Sequence, residues 1–301
     1  LAIDPRLVPA LCLMAQCYMG QSDLGLRSND EGYRLAREAS ERALAIDPES
    51  ALAHASLGST IQSTSSDLAA AAAHYERALA LEPTNTDIMV EAMRFGRALG
   101  RFDLIVAMGE YVVAHDPLNT MARATLGGTL FRAGRDAEGI AHLRMVEQIA
   151  PTRGLTHYTI GIALLRHNDL PGALAEFQQE TSANWKLDGL ALVYHAMGRK
   201  SESDAALNQM ISKSAKESAW NIAYVYAFRG EADRCFEWLE KAIEFRDPGL
   251  SLTAVQWTFT KVHQDPRWLP FLRKIGRAPE QLDAVRFDVK VPALRTGAPG
   301  A

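Results

Sequence analysis

Cysteine is scarce in this chain. Three residues in 301, Cys12, Cys17 and Cys235, are too few and too scattered for a disulfide framework, and a reducing, cytoplasmic setting is the expectation. Cys12 and Cys17 stand five apart on a helical run, which is not a metal-ligand spacing, and read as small buried hydrophobes. The eight histidines are spread along the chain and form neither HExxH nor HxH. No phosphate-cradling glycine loop and no nucleophile elbow occurs, and acid pairs such as Glu237 and Glu240 read as solvated helix faces. The chain is therefore expected to be no enzyme, with no catalytic residues, no cofactor and no metal, though a catalytic domain could precede it. No apolar run reaches membrane-spanning length, so no membrane span is expected. Asp4 and Pro5 interrupt the place where a signal peptide would need an apolar core. Positive charge is not in excess either. A net charge of -4 argues against nucleic-acid binding by this segment, which would need a basic face to displace phosphate counterions.

Apolar residues, by contrast, make up 48% of the chain against 23% charged, enough for a folded protein. They recur with a period. LAIDP opens the chain at Leu1 to Pro5 and returns at Leu44 to Pro48. Prolines that close alanine-rich runs fall at Pro48, Pro83, Pro117 and Pro151, at spacings of 35, 34 and 34. Proline cannot continue a helix and disfavours helix in the residue before it, so a periodic proline is a periodic helix stop. Within the periods stands a second mark: Gly100, Gly134, Gly198 and Gly230, with Asn168 in the equivalent place. Glycine or asparagine there takes the left-handed conformation that ends one helix and turns the chain into the next. The unit is helix, tight turn, helix, stop.

Small and large residues alternate between the two helices of a unit. Leu126, Gly127 and Leu130 face Gly139, Leu143 and Val146; Ile160, Gly161 and Leu164 face Ala173 and Phe177; Leu57, Gly58 and Ile61 face Ala71, Tyr75 and Ala78. Small residues let helices approach, and large ones a turn away fill the groove. The pattern resembles the tetratricopeptide repeat, a helical hairpin of about 34 residues. That resemblance implies an all-α fold: an α-solenoid, a right-handed superhelix of helix-turn-helix hairpins. It covers residues 1–275, as about seven hairpins plus C-terminal capping helices, and leaves 276–301 as an extended or partly disordered tail. The unit at 86–117 fits poorly, with Gly96, Ile105 and Gly109 at odds with the size pattern. The first unit is long because of a polar insert, GQSDLGLRSNDEG, read as an enlarged turn. "LSLTAVQWTFTKVHQ" reads as one more helical stretch, and Trp257, Trp268, Phe271 and Leu272 as contacts that cover the last hydrophobic face. Because LAIDP is a hairpin's end, residues 1–5 read as the cut edge of a longer array.

In proteins with this repeat, the first helix of each hairpin lines a concave groove that takes peptides. Carried over by position, the groove would be lined early by Cys12, Gln16, Leu52, Ser59 and Gln62, and in the third hairpin by Asp87, Arg94 and Arg97. Later units contribute Met121, Phe131, Leu155, Tyr158, Ile162, Trp185, Asp188, His195, Trp220 and Tyr224. The peptide-binding candidates among them are Arg94, Arg97, Phe131, Tyr158, Trp185, His195, Trp220 and Tyr224. Arginines suit a carboxylate and aromatics suit apolar anchors, while the same aromatics could equally pack between hairpins. The implied partner is a protein or peptide, with a homodimer allowed. Ala55, Ser59, Val90, Arg94 and Ala124 stand where a two-carboxylate clamp would need lysine, asparagine and arginine, which speaks against a chaperone C-terminus as ligand.

A narrower likeness lies in the last third, "NIAYVYAFRGEADRCFEWLEKAIEFRDPGL", then "DPRWLPFLRKIG" and "FDVKVP". It resembles the C-terminal repeat region of bacterial signalling proteins that carry an N-terminal class III adenylate/guanylate cyclase or a winged-helix domain. It implies a protein-binding scaffold serving signal transduction, with the regulatory segment of a cyclase or a winged-helix transcription regulator as the alternative. In the tail, Phe287, Val289 and Val291 alternate with Arg286, Asp288 and Lys290, the period of a strand. The expectation is an extended tail packed on the last helices or disordered, ahead of a strand that binds a partner.

Overall fold

Two punctuation marks per period divide the chain into paired helices. In the computed structural model, which describes residues 7–23, 26–64 and 67–294, seven hairpins follow one another. They are α1 (Val8–Asp23) with α2 (Asn29–Ile46), α3 (Ala51–Thr64) with α4 (Leu68–Leu81), α5 (Thr86–Ala98) with α6 (Phe102–His115), and α7 (Thr120–Leu130) with α8 (Asp136–Ile149). Then come α9 (Thr156–Arg166) with α10 (Leu170–Gln179), α11 (Ala183–Ala196) with α12 (Lys200–Ser214), and α13 (Ala219–Arg229) with α14 (Ala232–Glu244). The described residues contain no strand. The first LAIDP lies outside the described residues. In the second copy α2 ends at Ile46, Asp47 is extended at φ -134° and Pro48 enters the turn. The same stop ends α4, α6 and α8.

The turns inside the hairpins are equally uniform. Gly100, Gly134, Gly198 and Gly230 have φ between 70° and 79°, and Asn168 has 61°. The next N–H reaches back to the carbonyl five residues earlier: Arg101 to Gly96, Arg135 to Leu130, Asp169 to Leu164, Arg199 to Tyr194, Glu231 to Tyr226. This is the closure a left-handed cap permits.

The expected helical stretch after α14 takes a different form. It is two 3-10 helices, Pro248–Val255 and Trp257–Val262. Ser251, Thr253 and Thr260 each donate a hydroxyl to the carbonyl three residues back, on Pro248, Leu250 and Trp257. Such local bonds compete with the α-helical ladder, and short 3-10 runs are the outcome. Two short helices, α15 (Trp268–Lys274) and α16 (Pro279–Asp283), follow.

The chain divides into two compact units, residues 1–125 with 282–301, and residues 126–281. In the first, α3 packs on both α1 and α5. Tyr75 is fully buried and stacks on Phe95 with ring centroids 5.2 Å apart. Gly58 makes room for it, since a Cβ there would stand 3.2 Å from the ring. Residues 285–294 belong to this unit and form neither helix nor strand. Val285 and Phe287 are buried while Arg286 and Asp288 are exposed, an alternation of period two. They rest on the third hairpin, with Arg101 of that hairpin donating to the Val285 carbonyl.

In the second unit α9 packs on α11 and α11 on α13, so first helices lie beside first helices. Phe177 of α10, fully buried, fills space left by Gly161 of α9 and Gly189 of α11, where a Cβ would fall 2.5 and 2.1 Å from its ring. At the C-terminal end Phe259, Trp268, Phe271 and Leu272 are buried and Trp257 is half-buried against Phe228.

Candidate functional site

The first helices carry the residues to be placed. In unit 1, helix α5 begins under the Asn85 side chain, whose Oδ1 accepts from the N–H groups of Asp87 and Ile88. Its apolar side, Ile88, Met89, Ala92, Met93, Phe95 and Ala98, is buried, which turns Glu91, Arg94 and Arg97 outward. Ser59 of α3 donates to Glu91 at 3.4 Å, and Glu91 stands 3.6 Å from the Arg94 guanidinium. Ser59 and Arg94, both expected in the groove, thus meet through Glu91, which is not among the expected groove positions. Arg97 lies one turn further on. Its surface is exposed. Desolvation, and after it the charge of Arg94, push the guanidinium down to about 10. It forms no ion pair among the described residues.

In unit 2 the structure brings Tyr158, Trp185, Trp220 and Tyr224 together. Tyr158 and Tyr224 share a hydrogen bond of 2.7 Å between their hydroxyls. Trp185, half-buried, lies 4.9 Å from Tyr158, and Trp220 meets Tyr224 edge-on at 4.9 Å. The Asn221 amide donates to Tyr224 and to Asp188 Oδ2, each at 3.1 Å. Asp188 is fully buried, and its Oδ1 has no hydrogen-bond partner. Burial holds its carboxyl well above the usual carboxylate range against the opposing bond from Asn221, and burial followed by the Asp188 charge raises Tyr158. Tyr158, Trp220 and Tyr224 are buried rings. The Trp220 indole donates to Thr253 at 3.0 Å, and its ring lies against Gly249, which ties it to the C-terminal 3-10 turn.

Phe131 and His195 stand apart from this cluster. Phe131 is buried against Gly139, whose Cβ would fall 2.6 Å from the ring. His195, half-buried, meets Phe228 edge-on at 5.8 Å, and burial, then the nearby Lys261 charge, lower its pKa. Of the cysteines, Cys12 and Cys235 are buried and Cys17 is exposed. Burial pushes the Cys235 thiol up to about 12, so it is inert as a nucleophile.

Three polar arrangements had no signal in the sequence. Asn221 is one. The second is a pair of acids that cap first helices from a distance. Glu180, buried, accepts from the N–H groups of Leu155, Tyr158 and Ser182, and Asp247, also buried, from those of Trp220 and Gly249. The third is Glu176, buried between Arg144 and His157, with His157 Nδ1 at 2.8 Å. Only the Asp247-Pro248 dipeptide, which resembles the earlier helix stops but stands out of their register, could have pointed to one of them. Among the described residues no group of three His, Cys, Asp or Glu is placed to hold a metal ion, and no helix is long and apolar enough to cross a membrane.

No family model matches the chain, and no curated protein matches it. Among solved structures it is similar to PilF of Pseudomonas aeruginosa, with 16% identity over 68% of this chain and 92% of that one and a TM-score of 0.51. It is also similar to PilW, a type IV pilus biogenesis factor, with 18% identity, 68% and 93% coverage and a TM-score of 0.53. A monomeric IFIT1 mutant with Gppp-AAAA matches with 16% identity, 84% and 66% coverage and a TM-score of 0.56. These likenesses show the fold: an α-solenoid of tetratricopeptide-type helical hairpins. They bring neither a nucleotide cyclase nor a winged-helix domain with them.

Proposed function

We propose that the chain is a non-catalytic interaction scaffold that takes an acidic segment of a protein or peptide partner on helix α5. One observation carries this reading: Arg97, exposed and beside the Arg94 charge, forms no ion pair among the described residues. A guanidinium with the Arg94 charge beside it gains from an incoming carboxylate, which meets its planar fork of donors and offsets that repulsion. Arg94, one turn away on the same face, adds a second fork of donors while Glu91 holds it in place. The adjacent α3 contributes Ser59, buried, whose hydroxyl donates to Glu91 and braces the acid that holds Arg94. Helical hairpins of this type present their first helices side by side, which suits an extended ligand. The placement of this scaffold as the regulatory part of a longer signalling chain rests on the likeness of the last third alone.

Fluorescence anisotropy with a labelled hexaglutamate peptide tests the reading. The wild-type chain is expected to bind it in a salt-dependent manner, and Arg97→Glu to weaken binding by at least about tenfold. Equal affinity for wild type and Arg97→Glu, or equal binding of hexalysine, overturns it.

A further inference from the structure

One face of unit 1 already holds an extended segment. Phe287 meets Phe95 of α5 edge-on, with ring centroids 5.0 Å apart and planes at 89°. Beside it Gly96 has no side chain, and a Cβ there would come to 4.0 Å from the Phe287 ring. On one side of this aromatic contact the Arg101 guanidinium donates to the Val285 carbonyl at 3.3 Å. On the other side Glu76 Oε1 accepts the Asp288 N–H at 2.5 Å. Val285 and Phe287 are buried, and Arg286 and Asp288 point outward and pair with each other.

These are the elements of peptide recognition. Charged side chains grip backbone groups, which every peptide has, and a seat for one side chain selects the sequence. The segment enters no helix and no strand. It is held by a ring contact, two backbone hydrogen bonds and the burial of two side chains. The attachment is within one chain, 184 residues apart in sequence at the Arg101 contact. A tethered ligand needs fewer contacts than a free one, because its attachment is intramolecular.

We propose that the face made by Glu76, Phe95, Gly96 and Arg101 is a binding site for an extended peptide with an aromatic residue and an aliphatic residue two positions before it, and that residues 285–288 occupy it in cis as a tethered competitor. A partner segment of this pattern binds by displacing the chain's own. None of the contacts that seat the segment uses Arg97, so the site is separate from the acidic-peptide reading above and stands or falls without it.

The test uses the full chain and a labelled peptide of residues 284–292, AVRFDVKVP. Phe287→Ala in the chain loosens the competitor and leaves the site intact. Anisotropy is expected to show the peptide binding Phe287→Ala at least about tenfold more tightly than wild type. The same peptide with alanine in place of its phenylalanine should bind neither, and Glu76→Ala added to Phe287→Ala should weaken capture. Equal affinity for wild type and Phe287→Ala, or undiminished binding of the alanine peptide, overturns the proposal. If Phe287→Ala loses its helical circular dichroism, Asp288→Pro replaces it. That substitution removes the N–H held by Glu76 together with the carboxylate that pairs with Arg286, and the same two outcomes decide.

Discussion

Phe177 fills a volume that two glycines leave open, and this fixes what the neighbouring positions tolerate. A methyl group on Gly189 would fall 2.1 Å from the ring, inside any real contact distance. Gly189→Ala is therefore expected to cost about 1–3 kcal/mol in denaturant unfolding, as overpacking does, and a loss under about 0.5 kcal/mol would show that the ring moves aside freely. Asp247 gives a pH-dependent prediction. Burial, opposed by the N–H groups of Trp220 and Gly249, pushes its carboxyl up to about 6 from an ordinary 3.8. The folded chain thus keeps this proton to higher pH than the unfolded chain does. The group's contribution to stability is most favourable below pH 4, falls as pH rises from 4 to 6, and stays low above that, a swing of roughly 2–3 kcal/mol. Asp247→Asn removes the titration. The unfolding free energy of wild type minus that of Asp247→Asn should fall between pH 4 and pH 7, and a constant difference would show that burial does not govern this carboxyl.

At the scale of the element, hairpins were legible because their signals are local. A proline, a glycine and a run of alanines act within a few residues, and Gly100, Gly134, Asn168, Gly198 and Gly230 all sit in the left-handed region that the pattern required. A β-branched residue at such a turn is strained, so Gly230→Val is expected to cost roughly 1–2 kcal/mol in unfolding free energy, and an unchanged midpoint would remove the turn argument. What failed to show in the sequence was settled by contacts across a turn. The stretch from Ser251 to Thr260 has helical composition, but its hydroxyls take nearby carbonyls and draw the backbone into 3-10 turns. The cap on α9 comes from Glu180, 25 residues from the Leu155 N–H that it accepts. Glu180→Ala leaves the N–H groups of Leu155 and Tyr158 without this acceptor and should cost about 1–3 kcal/mol. Faster amide exchange is expected in the first turn of α9, and exchange at the wild-type rate there would show that another group serves as the cap.

At the scale of the whole molecule, the same distinction separates what could be read from what could not. The sequence points to Arg94 and Arg97 as candidates because the repeat assigns positions to first helices, and position along a helix is a local property. The aromatic candidates follow from the same rule, but position does not settle burial. Tyr158, Trp220 and Tyr224 carry little exposure because partners from other hairpins and from the 3-10 turn cover them. The destination of residues 284–294 was the least legible feature. The sequence alternation matches their alternating burial, but nothing local says that Phe287 rests on Phe95. That contact makes the segment part of unit 1, although it follows unit 2 in the chain. Phe287→Ala removes the buried ring, and for a residue covered on one side by a hairpin the loss should be about 2–4 kcal/mol of local stability. The loss should also be confined. Hydrogen exchange is expected to quicken in α5 and α6, where Phe95 and Arg101 lose their contacts, while α11 and α13 exchange as in wild type. Equal acceleration in both sets of helices would mean that the ring supports the fold generally, and no acceleration in either would mean that its burial contributes nothing.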